Sequence, residues 1–227
     1  MTIHIGFLVF PGIQHLDLAG PYDVFSSVPD ITLHLVWKNL SPVQASNGLM
    51  FSPDTTFENC PQLDVICVPG GSGVGDLMED QHTLAFLKAH SENVRFVTSV
   101  CTGSLVLGAA GLLRSRRATT HWAYHELLAP LGAIPVSERV VRDGNVITGG
   151  GVTAGIDFAL TLISELVGKD EAQAVQLQLE YAPAPPFNAG SPDSAPLAIV
   201  TLARERAAAT LARRTEITLR AASALKA

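Results

Sequence analysis

Short apolar runs closed by glycine or proline alternate with segments of helical spacing along most of the chain. Residues 3–10 (IHIGFLVF) form such a run, ended by Pro11-Gly12, and predict a buried strand. Gly20-Pro21 predicts a helix running through Phe25, with Pro21 in its first turn, where a missing N–H costs nothing. Residues 31–38 (ITLHLVWK) alternate and are rich in β-formers, which predicts a second strand. Residues 41–58 are rich in Ser, Pro, Asn and Gly and predict short strand or loop pieces. A third buried strand is predicted at 63–68 (LDVICV), closed by Pro69-Gly70-Gly71. A helix is expected at 78–90, a strand at 95–100 (RFVTSV) and a small apolar helix at 102–110.

Beyond these, 118–121 predicts a short strand and 122–128 a helix. Asp143-Gly144-Asn145 within 140–146 is a hairpin signal. Residues 154–167 and 171–181 have strong helical spacing. Residues 182–196 (APAPPFNAGSPDSAP) carry five prolines and predict an extended connector. The segment 197–226, rich in Ala, Leu and Arg, predicts a long amphipathic helix. Alternating strands and helices favour an α/β fold: a doubly wound, mostly parallel sheet with helices on both faces, plus the long C-terminal helix. Residues 1–190 form the α/β domain in this reading, and 191–227 a helical arm of the same domain.

Composition narrows the function. In 227 residues, 47% hydrophobic and 16% charged, a sizeable core is easily built. A formal charge of -6 argues against nucleic acid as a partner. From Thr201 onward, however, six Lys/Arg face two Asp/Glu, so the body before it is more acidic than the total. The N-terminal residues lack a basic stretch of signal-peptide type, and the apolar runs are too short to span a bilayer. Cys60, Cys67 and Cys101 are an odd set without metal-ligand spacing, as in a reduced cytoplasmic protein.

Three strand ends carry unusual residues. The first strand leads to Asp17, the third to Gly70-Gly71 and the next to Cys101; in a parallel sheet these ends share one edge. Cys101 sits between strand and helix, the setting of a nucleophile elbow, where a helix dipole favours thiolate. It reads equally as a buried cysteine in a strand–helix turn. Gly70 and Gly71 offer backbone amides for an anion, with Thr102 N–H as a further donor, or they form a plain turn. Asp17, flanked by Leu16 and Leu18, is either an N-cap or a carboxyl of raised pKa near Cys101. His121, before Trp122, is a candidate base for a Cys–His pair or a structural histidine.

Four strings together resemble the ThiJ/PfpI superfamily: Asp17-Leu18-Ala19-Gly20-Pro21, Cys67-Val68-Pro69-Gly70-Gly71, Ser99-Val100-Cys101-Thr102-Gly103 and Ala118-Thr119-Thr120-His121-Trp122. Three more strings resemble the isocyanide hydratases within that superfamily: residues 101–108 (CTGSLVLG), 149–157 (GGGVTAGID) and 178–187 (QLEYAPAPPF). The resemblance implies a flavodoxin-like sandwich and hydration of an isocyanide to an N-formamide, with neither metal nor organic cofactor. Cys101 thiolate would attack the terminal carbon, Asp17 would give the nitrogen its proton, and water would hydrolyse the thioimidate. Thr102 would hydrogen-bond near the Asp17 carboxyl, while backbone amides around Gly71, Thr102 and Val152 would hold thiolate and intermediate. A homodimer, with the C-terminal arm at its interface, is implied as well.

The departures are informative. Superfamily peptidases place His directly after the cysteine, where this chain has Thr102, and many other relatives have Glu where Asp17 stands. Regulators that share Thr-His-Trp append a helix-turn-helix domain, for which the residues after 190 are too few. Two rival readings remain: a same-fold enzyme acting on carbonyls, which needs His121 close to sulfur, and a non-catalytic cysteine redox sensor.

Overall fold

The computed structural model describes residues 2–226. The strands are β1 (Ile3–Leu8), β2 (Ile31–Trp37), β3 (Val43–Gln44), β4 (Met50–Phe51), β5 (Thr55–Thr56), β6 (Val65–Val68), β7 (Phe96–Val100), β8 (Arg117–Ala118), β9 (Ile134–Pro135), β10 (Val140–Asp143) and β11 (Val146–Gly149). The helices are α1 (His15–Ser26), α2 (Val74–Leu77), α3 (Gln81–Ser91), α4 (Gly103–Ala109), α5 (Ala154–Leu166), α6 (Lys169–Gln178) and α7 (Leu197–Ala224). A seven-stranded sheet runs β10-β11-β7-β6-β1-β2-β5. Every neighbouring pair in it is parallel except the β10–β11 hairpin. Phe7 pairs with Leu35 on one side and Cys67 on the other, so β1 lies inside the sheet and is buried apart from His4, as its mostly apolar run requires.

Helices cover both faces. On one, α1 packs on α5 and α5 on α6; on the other, α4 meets α2, α3 and α7. Apolar residues of the sheet and both helix layers form one core that includes Ile5, Phe7, Phe25, Leu105 and Phe158. The expected doubly wound α/β class and long C-terminal helix are both present. No helix among the described residues is long and apolar enough to cross a membrane.

Three local expectations change. Helix α1 begins at His15, not Gly20, so Pro21 lies inside it. Tertiary contacts fix that start: Gln14 N–H donates to the Gly70 carbonyl, and Ile13 bridges Gly71. Pro21 cannot donate to the Asp17 carbonyl four residues back, but its ring packs beside Gly155 of α5. The loop after Gly71 contains the short helix α2, and the helix expected from Met78 starts at Gln81. The segment after His121 winds as a 3₁₀-helix over Trp122–Leu127, and β8 pairs with an unanticipated β9.

The start of α4 presses on the end of β6. A Cβ at Gly103 would lie 1.9 Å from the Val68 carbonyl oxygen and 2.8 Å from that of Pro69. Backbone cannot move away as a flexible side chain would. Gly103→Ala should therefore destabilise the fold by about 3 kcal/mol, read as a lower denaturant midpoint at unchanged slope.

Candidate active site

Because β1, β6, β7 and β11 are adjacent and parallel, the segments leaving their carboxyl ends converge on one edge. Cys101 follows β7 directly and has φ +55°, an unfavourable conformation for a residue with a side chain. Its neighbours hold it there. Cys101 N–H donates to the carbonyls of Gly149 (3.0 Å) and Gly150 (2.8 Å), and its own carbonyl accepts from Thr120 Oγ1 at 3.0 Å. The residue is only 5% exposed.

Asp17, in the first turn of α1, is fully buried. Its Oδ2 accepts from Gly70 N–H at 2.8 Å. Oδ1 has no hydrogen-bond partner among the described residues, and the carboxyl as a whole interacts with the Cys101 thiol. Burial raises the carboxyl from 3.8 to about 7, against the opposing pull of Gly70 N–H and Cys101. The same burial, followed by the negative charge available to Asp17, pushes the Cys101 thiol well above its ordinary value. Sequence reasoning expected the helix dipole to favour thiolate; burial in α4's short N-terminal turn prevails instead. Thr102 opposes it, with its amide and hydroxyl both within reach of the sulfur.

The amides of Gly70 and Gly71 are not free for an anion, contrary to expectation. Gly70 N–H is committed to Asp17 and Gly71 N–H to Thr102 Oγ1 at 3.2 Å. Thr102, 2% exposed, thus hydrogen-bonds near the Asp17 carboxyl, linked to it through this peptide segment. Space here is exhausted. A Cβ at Gly70 would lie 2.7 Å from Asp17 Oδ2, Thr102 N and Thr102 Oγ1 alike. Val152 occupies the turn between β11 and α5, half-buried against the core. Among the described residues its N–H takes part in no backbone hydrogen bond.

His121 Nδ1 accepts from Ala123 N–H at 3.2 Å and so caps the 3₁₀-helix. Burial, and then the positive charge of Arg214, hold its imidazole below the usual range. Trp122 stacks loosely against it, with ring centroids 5.7 Å apart. Cys67 lies mid-strand in the core, where burial pushes its thiol up to about 12; Cys60 is similarly raised to about 11. No group of three or more His, Cys, Asp or Glu among the described residues is placed to hold a metal ion.

Arg214 was not anticipated. It reaches the site from α7, is 5% exposed, donates to the Gly71 carbonyl and places its guanidinium 4.2 Å from the centre of the Tyr124 ring. A signal for it exists in the sequence. Leu211, Arg214, Thr218, Ala221 and Leu225 recur at helical spacing, so Arg214 falls on the apolar stripe of α7, where a charge needs a reason.

A strained cysteine elbow facing a buried carboxyl, on a doubly wound sheet, defines a family, and the chain belongs to it: the DJ-1/PfpI family matches residues 4–165. Over 99% of its length, and 99% of the relative's, it is 69% identical to the isonitrile hydratase of Pseudomonas putida. It is 30% identical to the Parkinson disease protein 7 homolog of Danio rerio over 74% of this chain and 92% of that one. Among solved structures, a ThiJ/PfpI family protein from Pseudomonas syringae superposes with a TM-score of 0.94 at 43% identity, covering 96% of this chain and 91% of that one.

The Asp17 carboxyl also bears on stability. Its folded value is raised, so its favourable contribution is complete below 3.8 and is lost as pH rises toward about 7. Asp17→Asn keeps an acceptor for Gly70 N–H and removes that loss. Thermal unfolding should show Asn and wild type alike near pH 4, with the variant more stable by up to about 4 kcal/mol at pH 8. Equal stability at pH 8 would contradict the raised carboxyl.

Proposed function

We propose that this chain hydrates isocyanides (isonitriles) to N-formamides, with Cys101 as nucleophile and Asp17 as general acid and base. The observation that carries the reading is the dry Asp17–Cys101 pair, in which a carboxyl raised to about 7 lies against the thiol. The near-full-length similarity to an isonitrile hydratase supports the choice of substrate.

The chemistry balances as follows. With Asp17 ionised, the carboxylate takes the thiol proton as sulfur attacks the terminal carbon of R–N≡C. An S–C bond forms, and Asp17 returns the proton to that same carbon, giving the thioimidate R–N=CH–S–Cys101. This corrects the expectation that the first proton goes to nitrogen, since the addition makes carbon the basic atom. Nitrogen is protonated in the second half. Water adds to the carbon as Asp17 takes one of its protons and passes it to nitrogen, giving R–NH–CH(OH)–S–Cys101. The C–S bond then breaks as Asp17 carries the hydroxyl proton to sulfur, releasing R–NH–CHO and regenerating the thiol. Thr102 N–H and hydroxyl steady the sulfur while it carries charge. Uncommitted and close to the elbow, Val152 N–H is the backbone donor left for the intermediate, since Gly70 and Gly71 are engaged.

His121 has no hydrogen bond to sulfur among the described residues, and its Nδ1 is used in capping. A Cys–His enzyme acting on carbonyls is the weaker reading for that reason. The homodimer belongs to the proposal too: Leu197, Ile199 and Leu202 leave apolar surface exposed along the first half of α7, which a second subunit would cover.

Formamide production from an aryl isocyanide tests the reading. Wild type should turn over, and Cys101→Ala should lose roughly a thousandfold or more of kcat; undiminished turnover by the variant would end the proposal. The pH profile supplies a second test. The reactive form holds one proton between Asp17 and Cys101, so kcat/KM should rise with pH through about 7 and then level off. Asp17→Asn should lower the rate and erase that rise.

A further inference from the structure

Two engaged donors beside the elbow belong to one peptide segment, and the segment is gripped from α7. Gly70 N–H holds Asp17, Gly71 N–H holds Thr102 Oγ1, and the carbonyl of the same Gly71 accepts from Arg214 Nη2. Arg214 crosses 143 positions of sequence to reach it. Its neighbour Arg213 pairs with Asp76 and, two turns on, Arg220 pairs with Glu79; both are exposed ion pairs of the ordinary kind. Arg214 differs. It is buried, has no carboxylate partner among the described residues, and lies over the Tyr124 ring. A guanidinium carries five N–H donors, and here one of its nitrogens is engaged with protein.

The geometry points to Arg214 as a positioning residue of this site: by gripping the Gly71 carbonyl it fixes the amides that hold Asp17 and Thr102, and it brings a permanent positive charge to the same corner of the fold. Both effects act in one direction. A fixed Thr102 donates to the thiolate, and a nearby cation lowers its cost in a dry site. The charge of Cys101 is felt at Arg214, as is that of Tyr124. An unpaired buried cation is costly to keep, which fits a residue whose counter-charge appears only when the thiol ionises.

Several titratable groups share this corner of the fold. Asp17 meets the Cys101 thiol from α1, and Cys67 feels the charge of Asp17 from β6. His121, before the 3₁₀ segment, feels Arg214, and Arg214 itself feels Tyr124, Cys101 and its neighbour Arg213. With Asp17 and Thr102 intact, removing Arg214 takes away the buried cation of that set.

The test reads the thiol directly, and only its kinetic arm rests on the hydratase reading. Full-length wild type, Arg214→Met and Arg214→Lys are treated with iodoacetamide across pH, and alkylation at Cys101 is followed by peptide mass spectrometry. The Met variant should alkylate about tenfold more slowly at neutral pH, with its profile displaced upward by about one unit. With an aryl isocyanide, kcat should fall by a similar factor while KM changes less. The Lys variant, which keeps the charge but not the planar fork, should fall between the two. A Met profile superimposable on wild type would overturn the inference. Should the Met variant not fold, the Lys variant decides: a displaced profile supports the role, and a wild-type profile with wild-type kcat overturns it. Should wild type turn over no isocyanide, the hydratase reading falls, and the alkylation profile still decides on Arg214.

Discussion

The bond from Gly70 N–H to Asp17 Oδ2 ties the end of β6 to the first turn of α1 in a place water does not reach. An ionised carboxyl there has one good donor where solvent would offer several, so it keeps its proton up to about pH 7. The side chain that hydrogen-bonds to that carboxyl and can share its proton is the Cys101 thiol, itself held at φ +55° by the carbonyls of Gly149 and Gly150. Strain at the elbow, absence of a side chain at Gly70 and the raised carboxyl are thus consequences of one requirement: two acids held against each other, away from bulk solvent.

Competing effects at Cys101 can be ranked. A helix terminus offers about 0.3–1 kcal/mol to a nearby anion, less than the 1.36 kcal/mol of a single pKa unit. Desolvation of a buried group amounts to several units. Burial prevails, and the resting thiol is protonated. Reactivity must then come from a proton passed at the moment of attack, for which the carboxyl beside it is suited.

How much of this was legible in the sequence depends on the range of the interaction. The buried strands at 3–10, 63–68 and 95–100 announced themselves by apolar runs closed with Pro-Gly, Pro-Gly-Gly or the cysteine turn, and their shared edge followed from topology. The hairpin at Gly144-Asn145 and the helices α5 and α7 were equally local signals. The start of α1 was not, because a Gly70 carbonyl 56 residues away sets it by accepting from Gln14 N–H. The fate of the Gly70 and Gly71 amides was hidden for the same reason: glycines advertise accessible N–H groups, and only the fold shows what takes them up. Arg214 stood in plain view on the stripe of α7, yet nothing local showed that its partner would be the Gly71 carbonyl, 143 positions away.

Synthesis order separates the parts of the site: Asp17 is made before Cys101, and Cys101 before Arg214. A nascent or interrupted chain that ends before α7 carries the thiol without the grip on Gly71 and without Ile217 and Ala221 in the core. The contacts that complete the site are therefore postponed until α7 has been made.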